Sequence, residues 1–263
     1  MNIKLLEKDG QRIKFLVEGI KPSFAGSLRR IMISEVPTMT IEWVDFIKND
    51  SAMADEVLAN RIGHIPLTYD MKAYNLPKDC KCGGKGCSRC QVKLALKKKG
   101  PAMVYSDDLK SSDKSVAPSI EKVLLIELFE GEELQFNAIA QLGLGRDHAK
   151  WQGAIVGYKN LPSIKINAIN KKDLEEFVKS CPRDVFKIIN EALVITDPIR
   201  CNLCKKCVEI SKTNEIEVTP IEDSLIFDVE SVSGLDVEDV VLLAAKTLGD
   251  KMKEFRKALK RIK

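Results

Sequence analysis

The first residues of the chain alternate between apolar and polar side chains, with the two-residue period of a half-buried β-strand. Apolar positions recur over residues 3–5 and again over residues 13–17, on either side of the sequence Asp9-Gly10. Aspartate followed by glycine favours the tight turn that joins two antiparallel strands. The chain is therefore predicted to begin with a β-hairpin.

A helical pattern follows this hairpin. Phe24, Leu28 and Ile31 are spaced four and three residues apart, so they would share one face of an α-helix. Proline is common in the first turn of a helix and cannot continue one, so Pro22 marks a start and Pro37 a stop. We expect an amphipathic helix over residues 22–36.

The rest of the chain mixes strand and helix patterns, which predicts an α+β fold. Strands are expected at residues 41–47, 164–166, 216–218 and 225–229, a short helix at 56–63, and a second hairpin from 123–129 and 134–139. Residues 97–119 are rich in serine, aspartate and lysine, which predicts that they include a surface loop.

The last element carries a heptad pattern. Its apolar residues are spaced 4, 3, 4, 3, 4 and 3 apart and are Val241, Ala245, Leu248, Met252, Phe255, Leu259 and Ile262. Three heptads of this kind indicate a long helix that packs along another helix. The pattern leaves open whether the second helix belongs to this chain or to a partner.

Composition narrows the class of protein. The chain has 263 residues, of which 44% are hydrophobic and 30% charged, and its net charge is +4. A core of useful size is expected, whereas the small net charge does not suggest a protein that coats DNA. There is no apolar run long enough for a membrane span and no apolar signal region near Met1. We expect a cytoplasmic protein whose thiols are reduced and bind metals.

Four of the eight cysteines lie close together as Cys80, Cys82, Cys87 and Cys90. Gly83, Gly84 and Gly86 separate them, and glycine allows the backbone to wrap tightly around an ion. Four thiolates make a closed tetrahedral site, so this quartet predicts one structural zinc ion. A second iron–sulfur cluster or a loop without metal are the alternatives.

The other four cysteines are Cys181, Cys201, Cys204 and Cys207. Their spacing matches part of the cysteine pattern of bacterial ferredoxins. In the bacterial run C-x2-C-x2-C-x3-C-P of a two-cluster ferredoxin, the fourth cysteine of each run binds the other cluster. When the run is laid over this chain twice, Cys181-Pro182 and the Cys201–Cys207 trio supply all ligands of one cluster. The ligand positions of the other cluster hold non-cysteine residues, which are Lys171, Leu174, Phe177 and Ser211.

This match to the ferredoxin pattern predicts one iron–sulfur cluster, with 4Fe–4S favoured and 3Fe–4S as the alternative type. Buried or disulfide-bonded cysteines, a zinc ion, and a site partly lost in evolution are the competing interpretations.

No motif of a known active site is found. The sequence lacks a P-loop, a G-x-G-x-x-G run, an H-E-x-x-H run and a G-x-S-x-G run. Neither histidine, His64 or His148, has an evident nucleophile beside it in sequence, so both are predicted to be structural. We expect a chain with no catalytic residues.

Four segments resemble signatures of the α-type subunits of RNA polymerase. Residues 24–37 (FAGSLRRIMISEVP) are similar to the α-motif, and residues 56–67 (EVLANRIGHIPL) to a second signature of archaeal and eukaryotic members. Residues 145–151 (GRDHAKW) resemble a third, and residues 227–234 (FDVESVSG) resemble the C-terminal element that precedes the long helix. The resemblance covers nearly the whole chain and is strongest for the archaeal branch.

The resemblance implies an α-type dimerisation domain with two insertions. The dimerisation domain would comprise residues 1–40, 158–168 and 216–263. A mixed or β domain with the zinc quartet would occupy residues 41–157, and a ferredoxin-like iron–sulfur domain residues 169–215.

The resemblance also implies a role and partners. Members pair with the small L subunit through the α-motif helix and the C-terminal helix, here through Phe24, Leu28, Ile31, Leu248, Met252, Phe255 and Leu259. With subunits N and P, that pair is the platform on which the large catalytic subunits assemble, and contact with DNA is indirect. An iron–sulfur electron-transfer protein and a nucleic-acid-binding module are the competing functions.

Overall fold

The computed structural model describes residues 1–167, 169, 173–211 and 214–262. These residues form two compact units. The first unit contains Met1–Lys8, Ile13–Gly26 and Gly157–Asp228, and the second contains Asp9–Arg12, Ser27–Val156 and Val229–Lys263.

The described strands are β1 Asn2–Asp9, β2 Arg12–Glu18, β3 Pro37–Asn49, β4 Gln91–Lys99, β5 Ala102–Tyr105, β6 Lys110–Ser111, β7 Leu124–Leu128, β8 Glu133–Leu144, β9 Ala154–Ile166, β10 Phe186–Ile189, β11 Ala192–Ile195 and β12 Ile216–Ser231. The described α-helices are α1 Pro22–Ser34, α2 Asp55–Gly63, α3 Leu174–Ser180, α4 Lys206–Glu209 and α5 Val237–Lys260. The α+β class expected from the sequence is thus confirmed.

One four-stranded sheet has the order β1-β2-β12-β9 and lies mainly in the first unit. The predicted N-terminal hairpin is its β1-β2 edge, and Gly10 makes the turn with a φ of 51°. The rings of Phe15 and Phe227 stack with centroids 5.2 Å apart, which joins β2 to β12 through side chains. The predicted short strands at 216–218 and 225–229 are one continuous strand, β12.

The second sheet has the order β3-β8-β4-β6 and lies in the second unit. Alternate residues of its three long strands, such as Leu94, Phe136 and Ala138, point into the largest described core. Helix α2 contributes Leu58 and Ile62 to the same core. The core therefore covers one face of this sheet.

The predicted hairpin between residues 123–129 and 134–139 is wrong. Strand β7 pairs with β5 in a separate two-stranded sheet, whereas β8 pairs with β3 and β4. Both edges of β8 are therefore already hydrogen-bonded, and β7 has no place beside it. Residues 97–119, which were expected to include a loop, contain the end of β4 and all of β5 and β6.

The segment with the second cysteine quartet has a small core of its own within the first unit. Strands β10 and β11 form a hairpin, and helices α3 and α4 flank it in sequence. The buried members of its core are Leu174, Phe177, Val185, Phe186, Leu193, Cys207, Ile216 and Val218.

Helix α5 spans 24 residues and begins inside the second unit. Val237, Val240 and Ala244 on its first turns are buried. Lys251 forms an ion pair of 2.5 Å with Glu35, which follows α1. No helix in the described ranges is both long and apolar enough to cross a membrane.

Candidate metal centres and the exposed helix face

The first cysteine quartet converges on one point. The Sγ atoms of Cys80, Cys82, Cys87 and Cys90 all lie within 4.8 Å of one another. Cys80 and Cys87 are 3.6 Å apart between sulfurs, and so are Cys82 and Cys90. The structure thus brings together the four ligands that the sequence predicted for zinc.

Backbone geometry explains how so short a segment can do this. Gly83, Gly84 and Gly86 have φ angles of 63°, 80° and 90°, a region that residues with a Cβ seldom adopt. The backbone N–H of Cys87 also donates to the sulfur of Cys90 at 3.3 Å. These turns point four thiols inward from a loop of eleven residues.

The sulfur spacing fits a single tetrahedral ion. Zinc bound to four thiolates at about 2.3 Å places the sulfurs about 3.8 Å apart. The observed separations of 3.6 and 3.7 Å are close to this value. The quartet could therefore hold one metal ion without rearrangement of the loop.

Two of these thiols, Cys82 and Cys90, have pKa values shifted in opposite directions. Burial opposes ionisation of Cys82, but hydrogen bonds with Cys80 and Cys90 outweigh it and lower the pKa of Cys82 to about 6. Burial raises the pKa of Cys90 to about 12. Because the ligand is the thiolate, a metal ion must displace the proton of Cys90. Metal affinity is expected to weaken as pH falls.

The second quartet lines a single cavity. Cys181, Cys201, Cys204 and Cys207 all border it. Cys207 is buried, whereas Cys204 is exposed. A cubane cluster holds its thiolates farther apart than a single zinc ion does, because iron and sulfide lie between them. Four cysteines around a small cavity fit that arrangement.

The loop around Cys201 turns tightly beside this cavity. The backbone N–H of Leu203 donates to the sulfur of Cys201 at 3.4 Å. Leu203 and Lys205 have φ angles of 60° and 61°, which bend the chain around the cavity. Such N–H···S bonds stabilise the negative charge of a bound thiolate.

The four positions at which the ferredoxin run has no cysteine in this chain hold residues with other roles. Leu174 and Phe177 are buried in the local core, and Ser211 accepts a hydrogen bond of 2.7 Å from the backbone N–H of Glu215. Lys171, the remaining position, lies outside the described residues. At least two of these four positions therefore serve apolar packing.

The heptad face of α5 is exposed in this chain. Met252, Phe255 and Leu259 are 59%, 60% and 48% exposed, and Ile262 beyond the helix end is 81% exposed. Leu248 is half-buried. An apolar row of this size on a helix surface is typical of an interface with another molecule.

The three residues expected on the partner face of α1 differ from one another. Phe24 is 38% exposed, but Leu28 and Ile31 are buried inside the chain. The sequence could not show this, because helical spacing marks an apolar face without telling what covers it. In the isolated chain, Leu28 and Ile31 therefore support the position of α1 instead of offering surface.

Local hydrogen bonds hold both histidines. Nδ1 of His64 is 2.8 Å from the carbonyl oxygen of Asn60, and Nδ1 of His148 accepts from the backbone N–H of Lys150 at 3.1 Å. The two rings are 6.1 Å apart between centroids. These bonds are consistent with the structural role expected for both residues.

One polar contact near the second quartet was missed by the sequence analysis. Lys159 on β9 donates to the carbonyl oxygens of Ile199 and Cys201 at 2.5 and 2.7 Å. Burial lowers its pKa from the ordinary lysine value. A lone lysine in a strand has no sequence signal for this role, because its partners lie 40 and 42 residues away.

Comparison with known proteins gives the class. Residues 14–252 match the family model of the RNA polymerase Rpb3/Rpb11 dimerisation domain. The match spans far more than half of the chain, and the chain belongs to this family of RNA polymerase subunits. The family resemblance expected from the sequence is thereby confirmed.

Similarity to individual members covers nearly the whole chain. Proteins named DNA-directed RNA polymerase subunit Rpo3 match it at 42% identity in Methanosphaera stadtmanae, covering 95% of this chain and 96% of the relative. The corresponding protein of Thermococcus kodakarensis is 39% identical, covering 97% and 96%. That of Archaeoglobus fulgidus is 36% identical, covering 99% and 98%. These relatives are archaeal, as the sequence motifs predicted.

Proposed function

We propose that this chain is a non-catalytic assembly subunit of a DNA-directed RNA polymerase. It pairs with a second subunit through the heptad face of α5, and that pair nucleates assembly of the enzyme. The observation that carries the proposal is the exposed row Met252, Phe255 and Leu259 on a helix of a dimerisation family. Exposing this row to water is unfavourable, and burying it against another helix removes that cost.

The proposed partner is the small L subunit. Phe24, which is 38% exposed, and the half-buried Leu248 are proposed as further interface residues, while the buried Leu28 and Ile31 fix the position of α1. Subunits N and P and the two large catalytic subunits join the pair afterwards in the cytoplasm. Contact with DNA is made through the complex and not by this chain alone, in keeping with its small net charge of +4.

The proposed occupants of the two cysteine sites are different. Zinc suits the first quartet, since its sulfur spacing matches a tetrahedral ion. One iron–sulfur cluster, with 4Fe–4S favoured, suits the cavity between Cys181, Cys201, Cys204 and Cys207. Each group when bound would cross-link a segment with little core of its own, so both are proposed to be structural.

An electron-transfer protein is not favoured. The family match covers residues 14–252 and includes most of the long helix α5, whereas electron transfer would use the second quartet alone. The iron–sulfur site is therefore assigned to the stability of the subunit.

Co-expression with an L subunit under anaerobic conditions tests the proposal. The matched variants are Phe255→Glu on the heptad row and Lys257→Glu at the position farthest from that row. We expect a stable heterodimer for the wild type and for Lys257→Glu, and a monomer for Phe255→Glu, because a charge cannot be buried unpaired in the interface. Mass in solution measures this outcome.

Circular dichroism of each variant serves as the folding control, since residue 255 is exposed in the lone chain. A wild-type chain that stays monomeric beside its partner would contradict the proposal. Equal dimer formation by both variants would exclude α5 as the interface.

A further inference from the structure

The outer face of the sheet β3-β8-β4-β6 is unlike an ordinary solvated sheet face. A sheet with one covered face usually presents polar residues on the other. Here Trp43 and Ile47 on β3 are 51% and 54% exposed. Val44 and Phe46 alternate with them along β3 and pack on the core. Because successive side chains of a strand point to opposite faces, Trp43 and Ile47 lie on the face away from the core.

Strand register places the exposed apolar residues in a row with a lysine. Trp43 lies directly opposite Ile139 on β8, and Ile139 lies directly opposite Lys93 on β4. In the next row of that face, Asp45 is opposite Asn137, and Asn137 is opposite Ala95. Ala95 in turn pairs with Lys110 on β6. An aromatic end and a basic end thus share one surface.

This surface is concave and continues onto the loop of residues 80–90, here called the cysteine knuckle. An open cavity with an empty volume of about 950 Å³ is bordered by Trp43, Asp45, Lys93, Lys110 and Ile139, among others. A second cavity, bordered by Gly86, Cys87 and Ser88, shares Lys93, Ser112 and Ile139 with the first. The groove therefore runs from Trp43 across the sheet to the knuckle.

The groove carries more basic than acidic side chains. Lys93 and Lys110 are exposed and make no ion pair with any residue in the described ranges. Lys85 and Arg89 on the knuckle are exposed as well. Asp45 is the one acidic residue on the lining of either cavity. An occupant that complements the groove would be negatively charged beside Lys93 and Lys110 and apolar beside Trp43.

We propose that this groove binds an acidic polypeptide segment, carrying a bulky apolar side chain, from another subunit of the polymerase. The apolar side chain would pack on Trp43 and Ile139, and the acidic residues would pair with Lys93 and Lys110. A single-stranded nucleic acid fits less well, since stacking of successive bases needs several aromatic residues and Asp45 would repel phosphate. The inference rests on the proposed function in one respect, which is that the partner is a subunit of the polymerase.

Hydroxyl-radical footprinting of the wild-type chain tests the groove without any substitution. Oxidation of Trp43, read by mass spectrometry, is compared between the heterodimer with the L subunit and the complete polymerase. We expect oxidation of Trp43 to fall several-fold on full assembly, while the buried Trp151 stays low throughout. Unchanged oxidation of Trp43 in the complete enzyme would overturn the inference and leave the heterodimer intact.

Charge reversal gives a second readout. The variant Lys93→Glu with Lys110→Glu is compared with Lys72→Glu and Lys114→Glu, two exposed lysines of the same unit that border neither cavity. We expect both variants to form the heterodimer and the first to recruit the remaining subunits about tenfold more weakly. Equal recruitment of the remaining subunits by both variants would contradict the inference. It would also be contradicted if the wild type bound a single-stranded oligonucleotide in a salt-dependent way and only the Lys93→Glu, Lys110→Glu variant lost that binding.

Discussion

At the level of single residues, the segment with the second cysteine quartet receives a charged contact from a distant strand. Lys159 donates to the carbonyl oxygens of Ile199, two residues before Cys201, and of Cys201 itself, the first cysteine of the Cys201–Cys207 trio. The ammonium group both fixes the loop and places a positive charge near the thiolates. Burial lowers the pKa of Lys159, because removing the ammonium group from water disfavours its charged form.

Replacing Lys159 by methionine is expected to destabilise the first unit by about 1.5–3 kcal/mol, because two carbonyl groups lose a charged donor. Thermal unfolding and iron content of the anaerobically purified heterodimer measure the effect. Lys165→Met on the same strand is the control, since its ammonium lies 3.9 Å from Glu217 and both side chains are mostly exposed. An equal loss of thermal stability and iron content in both variants would show that Lys159 has no special role.

At the scale of elements, helix α5 is held at one end and exposed at the other. Val237, Val240 and Ala244 pack into the second unit, whereas Met252 and Phe255 face solvent. A helix gains most of its stability from burial of its apolar face. The C-terminal half of α5 therefore lacks, in the lone chain, the packing that its sequence is built to make.

Hydrogen exchange should show this difference directly. In the isolated chain, amides of residues 248–260 are expected to exchange much faster than those of residues 237–247. Addition of the L subunit is expected to slow exchange of residues 248–260 by at least about tenfold, because the helix can then open only when the L subunit dissociates. Protection that is the same with and without the partner would argue against α5 as the docking element.

At the scale of the whole molecule, the two cysteine quartets belong to different units. The Cys80–Cys90 quartet lies within the second unit, and the Cys181–Cys207 quartet within the first. Their local cores share no residue. The proposed zinc and iron–sulfur sites should therefore be independent of each other.

Single-ligand variants test this independence in the heterodimer. Cys90→Ser is expected to lose nearly all zinc and keep its iron absorbance, and Cys207→Ser is expected to do the reverse, because each removes one of four required thiolates. Ser88→Ala, in the same knuckle but not a ligand, should keep both metals. Metal analysis together with visible absorbance gives the answer, and loss of both metals in either single variant would refute independence.

Local sequence patterns determined a large part of this protein. The cysteine spacings predicted two quartets, of which the first converges within 4.8 Å and the second borders one cavity. The heptad predicted the exposed row of α5, and the motifs predicted the family. Each of these is a relation between residues close in the chain, where spacing alone decides which side chains share a loop or a helix face.

Only the tertiary structure decided the rest. It paired β7 with β5 instead of β8, buried Leu28 and Ile31, left Trp43 exposed, and brought Lys159 to Cys201. These outcomes depend on contacts between residues far apart in the chain. A strand or helix pattern states which face is apolar, but the packing of distant elements determines what that face meets.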